Sequence, residues 1–280
     1  MLDFAPASTS ASALVAATTA ADMKKYDWIV TYLFRMLSAG YSIANLPEEM
    51  PFTSKDIKVA MEKAKSDGYI DKSVANISDI KYTYDARKNF PAEVEQAGPI
   101  TWLQSNGKGN YVLRRTRRPN IIHLPTGLSE SPEIECIEDS TPAFILKLLG
   151  QDEQAMFTRV RNANLIGKVL GLETAQPLQS HHRTTLNYGQ IEVDEIQAAE
   201  TRDGELVIAP ISGKVGRDKL SWSQARNLNT YASEKAPTAE HVKSIGLWRD
   251  AEDTIWTAQF SSQTEIDEIE IEKVRRFRLQ

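Results

Sequence analysis

The chain is predicted to be an α+β or α/β protein of two units, and three observations carry that expectation. The first half shows helix-period apolar patterns with capping signals and ends in a glycine-rich hairpin. A stretch bearing Pro125, Gly127, Ser129, Ser131 and Pro132 follows, with the composition of a linker. The second half opens with helical periodicity and continues in strand-like apolar runs, which predicts helices over a mixed central sheet. At 280 residues the chain is long enough for two domains, each with its own core.

In order along the chain, residues 1–22 are rich in Ala, Ser and Thr, carry Asp3 and lack a basic start, so they read as a flexible arm rather than a signal peptide. Residues 23–38 read as a helix, with Ile29, Tyr32, Leu33, Met36 and Leu37 on one side and Gly40 just past its end. Thr53-Ser-Lys-Asp56 resembles a capping box; Ile57, Ala60, Met61 and Ala64 follow at helical spacing, and Gly68 is the stop. Asn76 to Lys88 is ambiguous. Ile100 to Gln104 and Tyr111 to Arg114 flank Ser-Asn-Gly-Lys-Gly (105–109) as a hairpin. Helices followed by a hairpin are the order of a winged helix-turn-helix, assigned here to residues 23–118. The run Lys108 to Arg118 is strongly basic, so Lys108, Tyr111, Arg114, Arg115, Arg117 and Arg118 are candidate DNA contacts on the wing. Lys55 and Lys58, near the start of the capped helix, are candidates for a major groove.

Residues 119–142 are assigned to the linker and 143–280 to the second domain. Ala143–Leu149 and Gln154–Leu172 read as helices, Trp222–Ala232 as a helix over the sheet, and Ile245–Trp248 and Thr254–Phe260 as later strands. Arg275, Arg276 and Arg278 read as a charged edge strand. His181 and His182 are adjacent in a strand and so point to opposite faces, which makes joint ligation of one metal difficult. The single cysteine, Cys136, excludes an intrachain disulfide and suits a reducing cytoplasm. No stretch approaches the roughly 20 apolar residues of a membrane span. Hydrophobic content of 41% and charged content of 25% are ordinary for a globular protein; the net charge of −5 by itself argues against a nucleic-acid partner, but phosphate contacts are local and the distribution of charge matters more than the sum.

The densest chemistry lies between Gly189 and Lys214. Gly-Gln-Ile-Glu-Val-Asp-Glu-Ile (189–196) leads through Thr-Arg-Asp-Gly (201–204) into Glu-Leu-Val-Ile-Ala-Pro-Ile-Ser-Gly-Lys (205–214), two strands and a turn. Side chains alternate along a strand and cross-strand partners share a face, so the loop length sets what meets what. A two-residue turn at Asp203-Gly204 would put Asp194 opposite Gly213. A three-residue loop, Arg202-Asp203-Gly204 with a left-handed glycine, would put Asp194 opposite Ser212 and Glu192 opposite Lys214. In that register Glu192, Asp194, Ser212 and Lys214 share one face and Ile191, Val193, Val207, Ala209 and Ile211 the other.

The spacing Glu-x-Asp, a turn, an apolar strand and x-x-Lys resembles the PD-(D/E)XK nuclease superfamily, to which most restriction endonucleases belong. Leu178-Gln-Ser-His-His-Arg-Thr-Thr185, the 189–196 segment and Lys214-Val-Gly-Arg-Asp-Lys-Leu-Ser-Trp-Ser-Gln224 are similar to one bacterial group of restriction-type enzymes. Tyr82-Thr-Tyr-Asp-Ala-Arg87, Trp102 and Gly107-Lys-Gly-Asn-Tyr111 are similar to the companion domain of that group, so the likeness covers roughly residues 25 to 260. It implies a restriction-endonuclease-like core in which Asp194 binds metal, the Gly213 carbonyl adds a ligand, and Lys214 orients or deprotonates the attacking water. Ser212 stands where the superfamily usually has Glu, or Gln in this group; Glu192 and Glu195 are the nearest carboxylates to compensate, and the three-residue loop favours Glu192. Magnesium fits such a site as a hard ion taking oxygen ligands. His182, Arg183 and Gln224 are further candidate DNA contacts near the cut.

The expected function is thus a magnesium-dependent, sequence-specific endonuclease of double-stranded DNA in the bacterial cytoplasm, a homodimer with no membrane segment and no small-molecule cofactor. Two others remain: a DNA-binding protein that keeps the nuclease fold without cleaving, and a winged-helix regulator. No nucleotide-binding glycine loop, paired-cysteine zinc site or nucleophile elbow competes.

Overall fold

A computed structural model describes residues 24–124, 132–236 and 239–280. The expected arm at 1–22 and most of the Pro/Gly/Ser stretch lie outside the described residues.

The first unit begins with α1 (Lys25–Leu37), followed by β1 (Glu49–Thr53), α2 (Ser54–Ser66), α3 (Ile77–Ala86), a single turn α4 (Ala92–Glu95), and the strands β2 (Ile100–Gln104) and β3 (Asn110–Arg115). Thr53 does cap α2: its hydroxyl accepts from Lys55 N–H, while the Asp56 carboxylate accepts from the Thr53 N–H at 2.7 Å. The ambiguous segment 76–88 is helix α3, started by Asn76, whose side chain accepts from Ser78 N–H. The strands form an antiparallel sheet in the order β1-β3-β2. One of its faces, with Phe52, Trp102 and Leu113, packs on Trp28, Ile29, Leu33, Ile57 and Ile80 of the helices. Its other face, with Leu103 and Val112, joins a core with Trp222, Ala225, Trp256 and Phe260 of the second unit. The two units therefore share a buried apolar layer.

The second unit is built on an eight-stranded sheet. Its strands are β4 (Ile134–Ile137), β5 (Ala175–Leu186), β6 (Gly189–Glu200), β7 (Leu206–Val215), β8 (His241–Val242), β9 (Ile245–Arg249), β10 (Ile255–Phe260) and β11 (Ile271–Leu279), in the order β4-β11-β10-β9-β7-β6-β5, with β8 beside β7. β5, β6 and β7 form an antiparallel meander, whereas β7 pairs parallel with β9 and β11 parallel with β4. Helix α8 (Trp222–Lys235) makes the crossover between β7 and β9. The sheet is mixed, as the sequence predicts.

Four sequence expectations are corrected here. The 154–172 helix is two helices, α6 (Glu153–Asn162) and α7 (Leu165–Leu170). Asn164 between them is left-handed at φ 48°, and its amide ties the break to the start of β5 by donating to Glu173 C=O and accepting from Ala175 N–H. The 143–149 helix is the single turn α5 (Ala143–Leu146), with Phe144 and Leu148 exposed. The arginine-rich strand β11 is not an edge, because β4, within the residues assigned to the linker, pairs with it; Arg275 binds Glu135 of β4 at 2.6 Å. Finally, the apolar residues of the central hairpin do not share one face. Val207, Ala209 and Ile211 pack with Met156 and Phe157 of α6, whereas Ile191 and Val193 pack with Leu228 and Tyr231 of α8. Val193 and Glu195 face opposite helices although alternate residues of a regular strand share a face, so the alternation of β6 breaks at Asp194; Glu192 thus falls on the α6 side, whereas Ser212 and Lys214, alternating with Ile211 and Gly213, point the other way.

Candidate functional site

The loop between β6 and β7 has three residues. Thr201 N–H donates to Glu205 C=O at 2.9 Å, Gly204 N–H to Thr201 C=O, and Gly204 is left-handed at φ 82°. The ladder runs from Glu200–Leu206 to Glu195–Ile211, which brings Asp194 level with Ser212. Asp194 Oδ2 accepts from Ser212 Oγ at 3.0 Å and from Gly213 N–H at 2.9 Å. The β6–β7 ladder ends at Glu195–Ile211, and the ladder partner of Lys214 is Trp248 of β9, on the other side of β7.

Lys214 is only 4% exposed, and its ammonium is held by three oxygens. They are Gly213 C=O at 2.7 Å, Glu153 Oε1 at 3.1 Å and Asp194 Oδ2 at 3.5 Å. Burial opposes the charged lysine, but Asp194 and Glu153 outweigh it and its proton is held more tightly than usual. Burial pushes the Glu153 carboxyl above the ordinary range, the charges of Asp194 and Asp218 add to this, and Lys214 works against it. Glu153 opens α6, whose N-cap Asp152 accepts from Ala155 N–H. Gly213 allows α6 to lie this close, since a Cβ there would sit 2.6 Å from Phe157 Cζ.

Glu153 is the residue that sequence reasoning missed. The available signal was an acid in the first turn of a helix, behind the N-cap Asp152. Glu192, expected opposite Lys214, is engaged elsewhere. β6 and β7 part before reaching it, so Glu192 turns to β5, accepting from Arg183 Nε at 2.9 Å and pairing with His181 Nδ1 at 3.0 Å. Burial would raise its pKa, but those two partners pull it below the ordinary range. Glu195 is fully buried and binds Arg161 of α6 through both oxygens, at 2.7 and 2.6 Å. This pair anchors α6, and with it Glu153, to the strand residue next to Asp194.

Beyond Lys214 the chain runs onto the first unit. Asp218 accepts from Tyr82 Oη at 2.6 Å and Arg87 Nε at 2.9 Å, both contributed by the C-terminal end of α3. Burial and the Asp218 hydrogen bond raise the Tyr82 pKa, and the charge of Glu153 contributes.

The basic run meets protein rather than open solvent at most positions. Arg114 pairs with Glu265 at 3.0 Å, Arg115 donates to Leu46 C=O, and Arg118 donates to Ile266 and Ile269 carbonyls while lying 3.5 Å over the Trp222 ring. Tyr111 packs with Phe52 and Trp102, and the hairpin tip is tied down by Gly107 N–H donating to Tyr188 C=O. Lys108, Arg117, Lys55 and Lys58 are exposed. His182 packs edge-on against Tyr231, facing away from His181, as adjacency in a strand requires. Gln224 accepts from Ser221 Oγ at the start of α8.

Among the described residues no three His, Cys, Asp or Glu side chains gather as a cation site. The donor set at Lys214 is two carboxylates and a carbonyl, hard oxygens converging on one cation, which suits magnesium. Comparison with protein-family models, curated proteins and solved structures returns no match. Among the described residues no helix is long and apolar enough to cross a membrane.

Proposed function

We propose that the chain is a magnesium-dependent, sequence-specific endonuclease of double-stranded DNA with a PD-(D/E)XK-type site. The observation that carries this reading is the convergence of Asp194, Glu153 and the Gly213 carbonyl on the buried ammonium of Lys214. Helices ahead of the meander and α8 over the sheet support the restriction-endonuclease-like core, and the order of α1, β1, α2, α3, β2 and β3 supports the winged helix. Asp194, Glu153 and Gly213 C=O would hold the ion, which when bound offsets charge on the phosphate oxygens and acidifies a water. Ser212 and Gly213 N–H fix the Asp194 carboxylate by hydrogen bonds to Oδ2. Lys214 Nζ, next to that ion site, would orient or deprotonate the attacking water. Glu153 takes the compensating role that sequence reasoning gave to Glu192.

Cutting both strands calls for two such sites, so the working unit is a homodimer on duplex DNA. A second reading, a DNA-binding protein that does not cleave, is favoured by one feature: Ser212 supplies a neutral hydroxyl where the resemblance expects a metal-binding side chain. Incubating supercoiled plasmid with protein and magnesium separates the two. The nuclease reading expects nicked or linear DNA, lost in Asp194→Asn; intact plasmid across varied sequences and divalent ions overturns it.

A further inference from the structure

We infer that Lys219, laid over the Trp248 ring beside Lys214, binds a DNA phosphate next to the one addressed at Asp194. The inference rests on the nuclease reading for what happens at Asp194, and on geometry for the phosphate seat itself.

Strand β9 shows which face the segment after β7 occupies. Gly246 is the ladder partner of Ser212 and Trp248 that of Lys214, so both lie on the face of the sheet that carries Ser212 and Lys214. Leu220 covers the first of them, since a Cβ on Gly246 would stand 2.7 Å from Leu220 Cδ1. Lys219 covers the second, with Nζ 3.8 Å from the centroid of the Trp248 ring. Its ammonium therefore sits one strand away from Lys214 on the same face. Neighbouring strands are about 4.8 Å apart, and successive phosphates of one DNA strand rise by about 3.4 Å, so the two lysines are spaced for adjoining phosphates.

Both units hold Lys219 in place. Its N–H donates to the C=O of Ala86, the last residue of α3, at 2.6 Å, and the preceding Asp218 is bound by Tyr82 and Arg87. Asp218 acts on the Glu153 carboxyl and Glu153 acts on Tyr82, which keeps this turn within electrostatic reach of the site.

Three features set Lys219 apart from an ordinary surface lysine. It is half-buried, and burial lowers its pKa because the charge of Asp250 offsets that burial only in part. Among the described residues no side chain hydrogen-bonds its ammonium. Asp218 is spent on Tyr82 and Arg87, and Asp250 already accepts from the N–H groups of Glu252 and Thr254 and from Trp256 Nε1. Lastly, Lys219 lines a cavity of about 140 Å³ whose other walls are Ile122, His123, Leu124, Leu220 and Trp248, none of them acidic. A partly desolvated ammonium facing a cavity without counter-charge suits a phosphate oxygen, and the aliphatic walls suit the sugar beside it.

The test uses the full chain and a mixed-sequence DNA duplex, with calcium replacing magnesium, and follows affinity by anisotropy between about 50 and 200 mM salt. Lys219→Met keeps an apolar stem over Trp248 and removes the charge, so the slope of log affinity against log salt should become shallower by about 0.9, the value of one phosphate contact. Lys219→Arg should keep the wild-type slope, and so should Lys243→Met, an exposed lysine at the other end of β9. DNA should also change the tryptophan fluorescence of the wild type by an amount that shrinks both in Trp248→Phe and in Lys219→Met, a signal that a structural lysine would not give. If the methionine variant fails to fold, Lys219→Gln takes its place. A folded variant with the wild-type slope overturns the inference, as does a wild type that binds no duplex in calcium. Because the slope is measured without cleavage, a wild type that binds duplex but leaves plasmid intact in magnesium sinks the nuclease reading, while the slopes still decide whether Lys219 holds a phosphate.

Discussion

The hairpin β6–β7 and the hairpin β2–β3 carry the two densest clusters of chemistry in the sequence, and the structure treats them in opposite ways. In β6–β7 the polar residues find one another: Asp194, Ser212, Gly213 and Lys214 are hydrogen-bonded within one hairpin, and Glu153 arrives from outside it. In β2–β3 and the run after it, the arginines find the rest of the protein. Arg114 reaches Glu265, and Arg118 covers Trp222 and caps two carbonyls of the 266–269 turn. A strand's alternation is a local rule and can be counted along the chain. The partner of a long, flexible cation depends on tertiary folding, and composition does not reveal it.

The largest expected effect tests the first hairpin. Lys214→Ala should reduce cleavage of plasmid DNA by about 10³-fold, the scale of losing a donor aimed at developing charge, with duplex affinity changed by less than about threefold. A variant that cleaves at the wild-type rate would remove Lys214, and with it the hairpin, from the chemistry.

The next effect separates the two glutamates. Glu153→Gln should weaken calcium binding, read by calorimetry, by about 10-fold to 100-fold, and should reduce cleavage in parallel. Glu192→Gln should leave calcium affinity within about twofold of wild type. If Glu192→Gln is instead the variant that loses the ion, the contact drawn from the loop register was right and the helix contact is wrong.

A smaller effect tests the second hairpin. Arg118→Ala removes a cation stacked on Trp222 and its carbonyl hydrogen bonds, and should destabilise the fold by about 2 kcal/mol in denaturant melts. Arg117→Ala, an exposed neighbour, should stay within about 0.5 kcal/mol of wild type. If Arg118→Ala is as stable as wild type and loses DNA affinity, the run is a nucleic-acid surface and the contrast between the hairpins collapses.

What the sequence made legible follows the same division. The capping box at Thr53, the extent of α1, the left-handed Gly204 and the register that sets Asp194 against Ser212 each depend on residues close in sequence. Lost were features that need a distant partner: β4 inside the apparent linker, β11 as an inner strand, the break at Asn164 fixed by Glu173 and Ala175, and the arrival of Glu153. Glu192 shows the limit clearly. The loop count placed it opposite Lys214, but ladder continuity beyond Glu195 was an assumption: the β6–β7 ladder ends at Glu195–Ile211, and Glu192 is left to its other neighbour, β5.

The smallest effect is one of pH, and it compares the two glutamates within the wild type, with Glu153→Gln as the control. Glu153 has its carboxyl raised by burial and by the acids beside it, so on acidification it takes up its proton at a pH above the ordinary 4.5. Glu192 is lowered, with Arg183 and His181 overcoming its burial, so it stays ionised below that pH. An ion held by Glu153 must compete with that proton; the ion pair of Glu192 with Arg183 meets its own competing proton only at lower pH. Calcium affinity should therefore begin to fall on acidification while the Glu192 carboxylate, followed by NMR, is still ionised on Arg183, giving two midpoints in the wild type. In Glu153→Gln the earlier midpoint should vanish and the later one persist. A single shared midpoint would mean that the two carboxylates titrate as one site, and that the separation between the glutamate on Lys214 and the glutamate on Arg183 is not real.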